Sequence, residues 1–532
     1  MKNELYSALL GACLLLWTPT DLEAQPGSLD PTFNGTGYVI DPVNTLDVTQ
    51  KILVQDDGKV LVIGYSFDAT YTSRGQVFRY LPDGTPDTGF GTNGAFTFEM
   101  DNEADIYSAV LTAEGKIIMA GGTTDYQTYR LLLIQLNADG TLDNTFGTNG
   151  YVLQSVSAVV DNAEDIAYDV TLDAQGNILV CGSSFDINYV RRPVVARFSP
   201  SGVLDTSFGT NGVATIPVMT VGSNSFLGIV VQTDGKIVAT GYFGNTELWY
   251  VMLLVRFEAD GSLDTGFGDA GVVKHNYNNV DDEGEDLALT SDGSILVAGL
   301  STGPNYNYSA LLTKYTPDGE LDLTFNGTGY VIEDLGPFDF ASNVSLMADG
   351  RIIIAGSSGD GPPNGFDLAV WKYLPDGTRD ITFGTDGLVQ HQILDHYTMI
   401  YAMEVQDDGK ILIGGQARTM INQNYFFTAR LENDVLSAVG ELAAPLEAMV
   451  YPNPATTRST LTVQLNAVIR PDAKLRLLGA DGRLVASYTA QQLHRQGNSL
   501  TLQLPAGIAP GTYQLAFEQR GTRIAESILI NE

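Results

Sequence analysis

An eight-residue phrase, Asp143-Asn144-Thr145-Phe146-Gly147-Thr148-Asn149-Gly150, recurs seven times along this chain with small variations. It opens as Asp30-Pro31-Thr32-Phe33-Asn34-Gly35-Thr36-Gly37 and closes as Asp380-Ile381-Thr382-Phe383-Gly384-Thr385-Asp386-Gly387. Its phenylalanines, Phe33, Phe90, Phe146, Phe208, Phe267, Phe325 and Phe383, stand 56 to 62 residues apart. A near-constant period of that length prescribes a repeat architecture and outranks any local reading of helix or strand. Repeats of this size pack into one body, so most of the 532 residues belong to a single array.

Each unit has four parts. A short apolar segment such as Tyr151-Val152-Leu153 follows the phrase, and a less regular stretch then runs to a turn such as Asp57-Gly58 or Asp349-Gly350. The third part is a dense apolar run closed by glycine, as in Val60-Leu61-Val62-Ile63-Gly64, with that glycine always six residues after the turn glycine. The fourth alternates into a second turn, as in Val77-Phe78-Arg79-Tyr80-Leu81-Pro82-Asp83-Gly84. Short Val/Ile/Leu/aromatic runs bounded by Asp-Gly are strand and hairpin grammar. The third run suits a central strand, and the fourth suits one nearer the wet edge. Four strands in each of seven units predict an all-β fold, a seven-bladed β-propeller over residues 25–435. The array starts and stops partway through a unit. The fragment Gly27–Phe33 supplies the phrase missing after Asn433-Asp434, so the two ends are expected to meet and close a ring.

The pattern Asp-Gly-Lys followed by four apolar residues and Gly, then Arg-Phe-Glu-Ala-Asp-Gly-Ser-Leu-Asp-Thr-Gly-Phe-Gly as at 256–268, resembles the bacterial delta-60 repeat family. That resemblance implies a propeller-like architecture and no agreed chemistry.

Composition breaks near residue 435. From Leu436 onward eight Lys/Arg face seven Asp/Glu, whereas the residues before it hold 20 against 56. The acidity of the array argues against nucleic acid and anionic membrane as partners. Residues 1–24 read as a signal peptide, with Lys2 before a short apolar core too short to span a bilayer. Cys13 lies inside that core, which disfavours lipidation, and Cys181 is then the one cysteine left, so no internal disulfide forms. Residues 436–448 read as a linker and 449–532 as a small Ig-like β-sandwich of alternating segments. That last region resembles the type A C-terminal sorting domain of the type IX secretion system of Bacteroidetes. The residues carrying the likeness are Tyr451-Pro452-Asn453-Pro454, Asp481-Gly482-Arg483, Gly511-Thr512-Tyr513 and the final apolar strand. The resemblance implies an export address, with sorting-motif residues Tyr451, Pro452, Asn453, Pro454, Gly511 and Tyr513, partnership with the secretion machinery, and a secreted or outer-surface location.

Catalytic constellations are thin, and no residue takes a catalytic role. His391 and His396, five apart in a non-helical stretch, read as solvated loop residues; His275 and His494 stand apart from them. Cys181 reads as a small core residue. Asn137-Ala138-Asp139-Gly140-Thr141-Leu142-Asp143, with the sets around Asp260-Gly261-Asp264 and Asp318-Gly319-Asp322, resembles half a calcium loop, but turn capping explains the same recurrence with no cofactor. The non-repeated acids Asp281-Asp282-Glu283 and Glu285-Asp286 read as a solvated loop, since acids adjacent in sequence rarely face one substrate. The favoured function is binding or adhesion toward a surface protein or glycan; the alternative is a carbohydrate-active enzyme using the propeller channel. A ligand is to be sought at the irregular loops Asp186-Ile187-Asn188-Tyr189, Thr302-Gly303-Pro304-Asn305-Tyr306 and Asp360-Gly361-Pro362-Pro363.

Overall fold

The computed structural model describes residues 25–531 apart from 45, 101–102, 125–127, 158–163, 218–222, 245–249, 278–279, 304–305, 362–364, 395, 420–422, 434–447, 466–472, 480–482, 497–498, 506 and 520–521. The expected signal peptide, most of the expected linker and the Asp481-Gly482 turn lie outside the described residues. Contacts divide the chain into two compact units, Met1–Val435 and Leu436–Glu532.

In the first unit the four-part repeat becomes a four-stranded antiparallel sheet. The first sheet runs Leu46–Val54, Val60–Phe67, Ser73–Tyr80 and Ala95–Phe98, each strand paired to the next. Six sheets follow this order. The seventh takes Tyr397–Val405, Ile411–Arg418 and Asn424–Leu431 from the end of the array and Tyr38–Asp41 from its start. Tyr38 pairs with Ala429 and Asp41 with Phe426, so the opening fragment supplies the missing outer strand. The first strands of successive sheets touch one another, and the seventh touches the first. The ring is closed, and the fold is a seven-bladed β-propeller whose first strands surround a central channel.

Each blade's second strand, the dense apolar run, is buried almost throughout, as a strand packed between neighbouring sheets must be. The alternating fourth part is not at the wet edge. Tyr129–Leu136 is buried over its last six residues, and the exposed edge falls to the short strand after the Phe-Gly phrase, such as Tyr151–Gln154. A third strand here packs both faces between blades, so its polar positions are occupied by buried, paired side chains.

The phrase itself joins blade to blade. Gly91 N donates to Asp139 O, Gly147 N to Ser201 O and Gly268 N to Asp318 O, and the pattern runs through all seven copies at 2.6–3.0 Å. It crosses the closure as Gly384 N to Pro26 O and Asn34 N to Asp83 O. All seven signature phenylalanines are buried. Over their rings lie cations from the third strand: Arg79 over Phe90, Arg197 over Phe208, Arg256 over Phe267 and Arg430 over Phe33. The turn glycine of the next repeat abuts the same ring; a Cβ on Gly140 (φ +83°) would stand 2.7 Å from Phe90. Only glycine fits there, on both counts.

The second unit is a β-sandwich. One sheet orders Ala448–Tyr451, Thr460–Leu465, Ser499–Gln503 and His494–Gln496; the other orders Ala455–Thr456, Thr522–Asn531, Gly511–Gln519, Lys474–Gly479 and Leu484–Thr489. Leu461, Leu475, Leu500, Phe517 and Ile528 fill the space between them. No described helix is long and apolar enough to cross a membrane.

Candidate functional site: the propeller channel and its loop face

The closing glycine of each second strand sets the geometry of the channel. A Cβ on Gly121 would lie 1.8 Å from Asp105 O, and one on Gly356 the same distance from Phe340 O. The backbone of the first strand presses against that glycine, and the register there slips by one residue in every blade, as between Ile106 and Ser108 or Gly284 and Asp286. A β-bulge aims consecutive residues the same way. Five first strands therefore turn a pair of neighbouring side chains toward the axis, while blades four and seven, where Gly228 and Ala402 follow the bulge, turn one.

The position is repeated, but the chemistry is not. The bulge residue is Tyr107, Tyr168 and Tyr401 in blades two, three and seven, Glu285 in blade five, and Gln50, Leu227 and Ser342 elsewhere. The residue after it is Lys51, Asp169, Asp286 or Asn343 in blades one, three, five and six. Together they line a space of about 150 Å3. The rings form an arc: Tyr65 and Tyr107 lie 5.7 Å apart and Tyr107 and Tyr168 5.3 Å.

The acidic cluster read as a solvated loop is instead the first strand of blade five, Asp282–Leu289. Asp282 is buried, and Glu285 and Asp286 both line the channel because the bulge defeats the alternation that normally separates neighbours. Burial, with Glu285 and Asp281 adding to it, pushes the Glu283 carboxyl up to about 8. Burial and Asp286 push Glu285 up to about 7. Burial raises Asp286 to about 6 against the pull of Lys51. Burial opposes the charge of Lys51, but Asp169, Asp286 and Glu404 overcome it and hold its ammonium above the usual range. Asp169 is pinned by Ser108 Oγ (2.6 Å) and Ile229 N (3.0 Å), and Asp286 by Val344 N (2.9 Å), so carboxylates of one blade are held by its neighbours.

Second-to-third-strand hairpins and the links between blades emerge on one face of the ring; the Asp-Gly turns and Phe-Gly phrases emerge on the other. On the hairpin face Tyr71, Tyr189 and Tyr306 occupy the same position of blades one, three and five. They are 78%, 53% and 64% exposed, with φ of 61°, 58° and 61°. Each donates its N–H back across the turn, to Asp68 O, Asp186 O and Gly303 O. Two of these hairpins belong to the loops singled out in the sequence; Tyr71 was not. Residues 304–305 and 362–364 of those loops lie outside the described residues.

The remaining expected sites fall as follows. Asp139 Oδ1 accepts from Thr141 N and Oγ1, and Asp260 Oδ1 from Ser262 N and Oγ, which is turn capping. The phrase aspartates are ion-paired: Asp143 with Lys116, Asp264 with Arg256 and Lys236, Asp322 with Lys314. His391 is not in a loop; it ends the strand Leu388–His391 and is half-buried near Asp367, while His396 packs edge-on against Tyr397. His275 stacks on Tyr277 at 4.1 Å. His494 lies in the strand His494–Gln496 of the sandwich. Cys181 is a buried core residue whose thiol is pushed up by burial. In the sandwich Tyr451, Pro452, Asn453 and Pro454 are exposed. The Asn453 side chain donates to Ser527 O (2.9 Å) and accepts from Leu529 N (3.0 Å), pinning the motif to the final strand. Tyr513 OH bonds Ala509 O at 2.8 Å, two residues before Gly511.

A closed ring of seven four-stranded blades tied by one recurring phrase makes this a β-propeller-repeat protein. Residues 55–90, 113–146, 176–208, 232–267, 290–325, 348–383 and 406–434 match the family described as a domain of unknown function (DUF5122) beta-propeller. No curated protein matches the chain. Among solved structures it is similar to a fungal alcohol oxidase of the AA5 family in complex with copper (14% identity, 93% of this chain and 98% of that one, TM-score 0.44). It is also similar to a PL25 ulvan lyase (10%, 75% and 96%, 0.38) and to a glucose dehydrogenase (14%, 61% and 96%, 0.35).

Proposed function

We propose that the protein is an exported binding propeller that takes a surface glycan or protein on its hairpin face. The observation that carries this is the placing of Tyr71, Tyr189 and Tyr306. The third residue of such a turn is ordinarily glycine or asparagine, because positive φ drives Cβ toward the carbonyl. A tyrosine there costs about 1–3 kcal/mol and leaves more than half of a large ring exposed, a double penalty that folding alone does not explain. Aromatic side chains displayed on rigid hairpins are what recognition surfaces use. The triple variant Y71G/Y189G/Y306G should melt at a higher temperature than the native chain yet lose binding to glycan arrays and whole cells. A lower Tm, or binding that survives, would count against the reading.

Export rests on the tail. The pinned Tyr451-Pro452-Asn453-Pro454 turn supports type IX sorting to the surface or medium, with the secretion machinery as partner. A reporter placed between residues 1–24 and residues 436–532 should reach the medium of a bacterium with that system, and Asn453→Ala, which frees the turn from the last strand, should retain it inside. Equal export of both fusions would remove the support.

A further inference from the structure

The channel is a second place where the chain departs from its own symmetry, and its chemistry is distinct from that of the hairpin face. Three tyrosines, Tyr107, Tyr168 and Tyr401, give it aromatic wall. Lys51 brings an ammonium that makes no hydrogen bond or ion pair among the described residues. Asp169 and Asp286 bring carboxylates whose positions are set by backbone N–H groups of adjacent blades. Asn343 brings a side-chain oxygen that is buried and has no hydrogen-bond partner among the described residues. Buried polar groups are ordinarily satisfied, and an orphaned acceptor in the same channel as an uncommitted donor asks what completes them.

Ligand charge decides between the candidates. An anion would use Lys51 but would face Asp169, Glu285, Asp286 and Glu404 around it. An organic cation would use the carboxylates and tyrosine faces but would be set against Lys51 and leave its donors unused. A neutral hydroxylated ring uses the donor, the acceptors and the aromatic wall together: hydroxyl oxygens accept from Lys51, hydroxyl protons go to Asn343 Oδ1 and the carboxylates, and its C–H face lies on tyrosine. The space of about 150 Å3 admits one ring at most, since a cavity of about that volume holds a benzene molecule. We infer that the channel binds the terminal ring of a neutral glycan, between Lys51, Asn343 and the tyrosine arc. The inference shares with the proposed function only the premise that the protein is a receptor, and its site is separate from Tyr71, Tyr189 and Tyr306.

The test is saturation-transfer NMR of the full chain against methyl glucoside, galactoside and mannoside, with glucosamine, glucuronate and methylammonium as charged counterparts. At least one neutral glycoside should receive saturation, and every charged compound should displace it at least tenfold less readily than the same neutral glycoside added in excess. Asn343→Leu removes the orphaned oxygen at similar volume; it should raise or preserve Tm while weakening that glycoside by tenfold or more, and Lys51→Met should weaken it as far while lowering Tm, because Asp169, Asp286 and Glu404 lose the cation they face. The Y71G/Y189G/Y306G variant should leave this signal unchanged. Absence of any neutral glycoside signal, preference for a charged compound, or full binding by a folded Asn343→Leu protein would overturn the inference. Should whole-cell binding survive loss of the three hairpin tyrosines while Asn343→Leu abolishes glycoside binding, the hairpin reading falls and this one stands.

Discussion

Gly115 and Gly140 offer a controlled pair within one blade. Both hold positive φ, +76° and +83°, but a Cβ on Gly115 would meet nothing nearer than Ala138 at 3.8 Å, whereas on Gly140 it would strike the Phe90 ring at 2.7 Å. Gly115→Ala should therefore cost only the conformational term, about 1–2 kcal/mol. Gly140→Ala should cost that and the displacement of a buried ring held under Arg79, bringing the loss to about 3 kcal/mol or more. Urea unfolding of the two variants measures the difference; equal losses would mean that the ring contact contributes nothing. The phenylalanines and glycines of this staple were legible because they recur. The contact of the cations with those rings is not read from the pattern, although a signal is available: Arg79, Arg197, Arg256 and Lys372, which lies over Phe383, each precede their phenylalanine by eleven residues. Constant spacing across a turn marks a contact even where neither residue is diagnostic alone.

At the scale of the strand, the bulge explains why the channel was not legible. Asp282–Leu289 carries four acids in eight residues, and composition of that kind ordinarily signals a solvated loop. What keeps it a strand is its place in the ring, where six equivalent strands fix its pairing and Gly299 receives its bulge. Tertiary context overrides local propensity here. The strain shows in titration. Glu283 binds its proton up to about pH 8 in the fold, against an ordinary value of 4.5, so the folded state holds more protons across that interval. Its contribution to stability is present below about pH 4.5 and is lost as pH rises through 8. Asp143 and Asp264, lowered to about 2, run the other way: their contribution is present above the ordinary 3.8 and is lost as pH falls through 2. For Asp143 the Lys116 pairing is the chief cause; for Asp264, Lys236 and Arg256 overcome burial. The native chain should consequently be most stable in mild acid. Glu283→Gln should match it near pH 4.5 and exceed it in Tm at pH 8.5; a constant offset at both pH values would show that the carboxyl does not titrate as its surroundings require.

For the molecule as a whole, what matters is that the ring closes on the strand Tyr38–Asp41. The meeting of the ends was legible because the first fragment and the last repeat are complementary pieces of one unit. The ionic lock behind it was not, since its members lie up to 400 residues apart. Asp30 is fully buried and receives Arg430 Nε at 2.6 Å and Lys410 Nζ at 2.7 Å. Burial works against its charge, but Lys410, Thr32 and Arg430 hold its carboxyl well below the usual range. Around it Gly27 N bonds Glu432 O, Asp30 N bonds Arg430 O and Arg430 N bonds Gly37 O. Removing Asp30 alone leaves two cations facing an empty site, and breaking a buried pair on one side costs about 3–5 kcal/mol. Removing residues 25–41 takes the outer strand as well and exposes the apolar edge Phe426-Phe427-Thr428-Ala429. A closed ring has no free terminal blade to fray, so this loss should lower the single melting transition of the propeller and not merely loosen its last sheet. A synthetic peptide of residues 25–44, added to the shortened chain, should bind as the missing strand and restore Tm in proportion to its concentration. If the shortened chain melts where the native one does, or if the peptide restores nothing, the ring is held by blade-to-blade packing and its strand closure adds no stability.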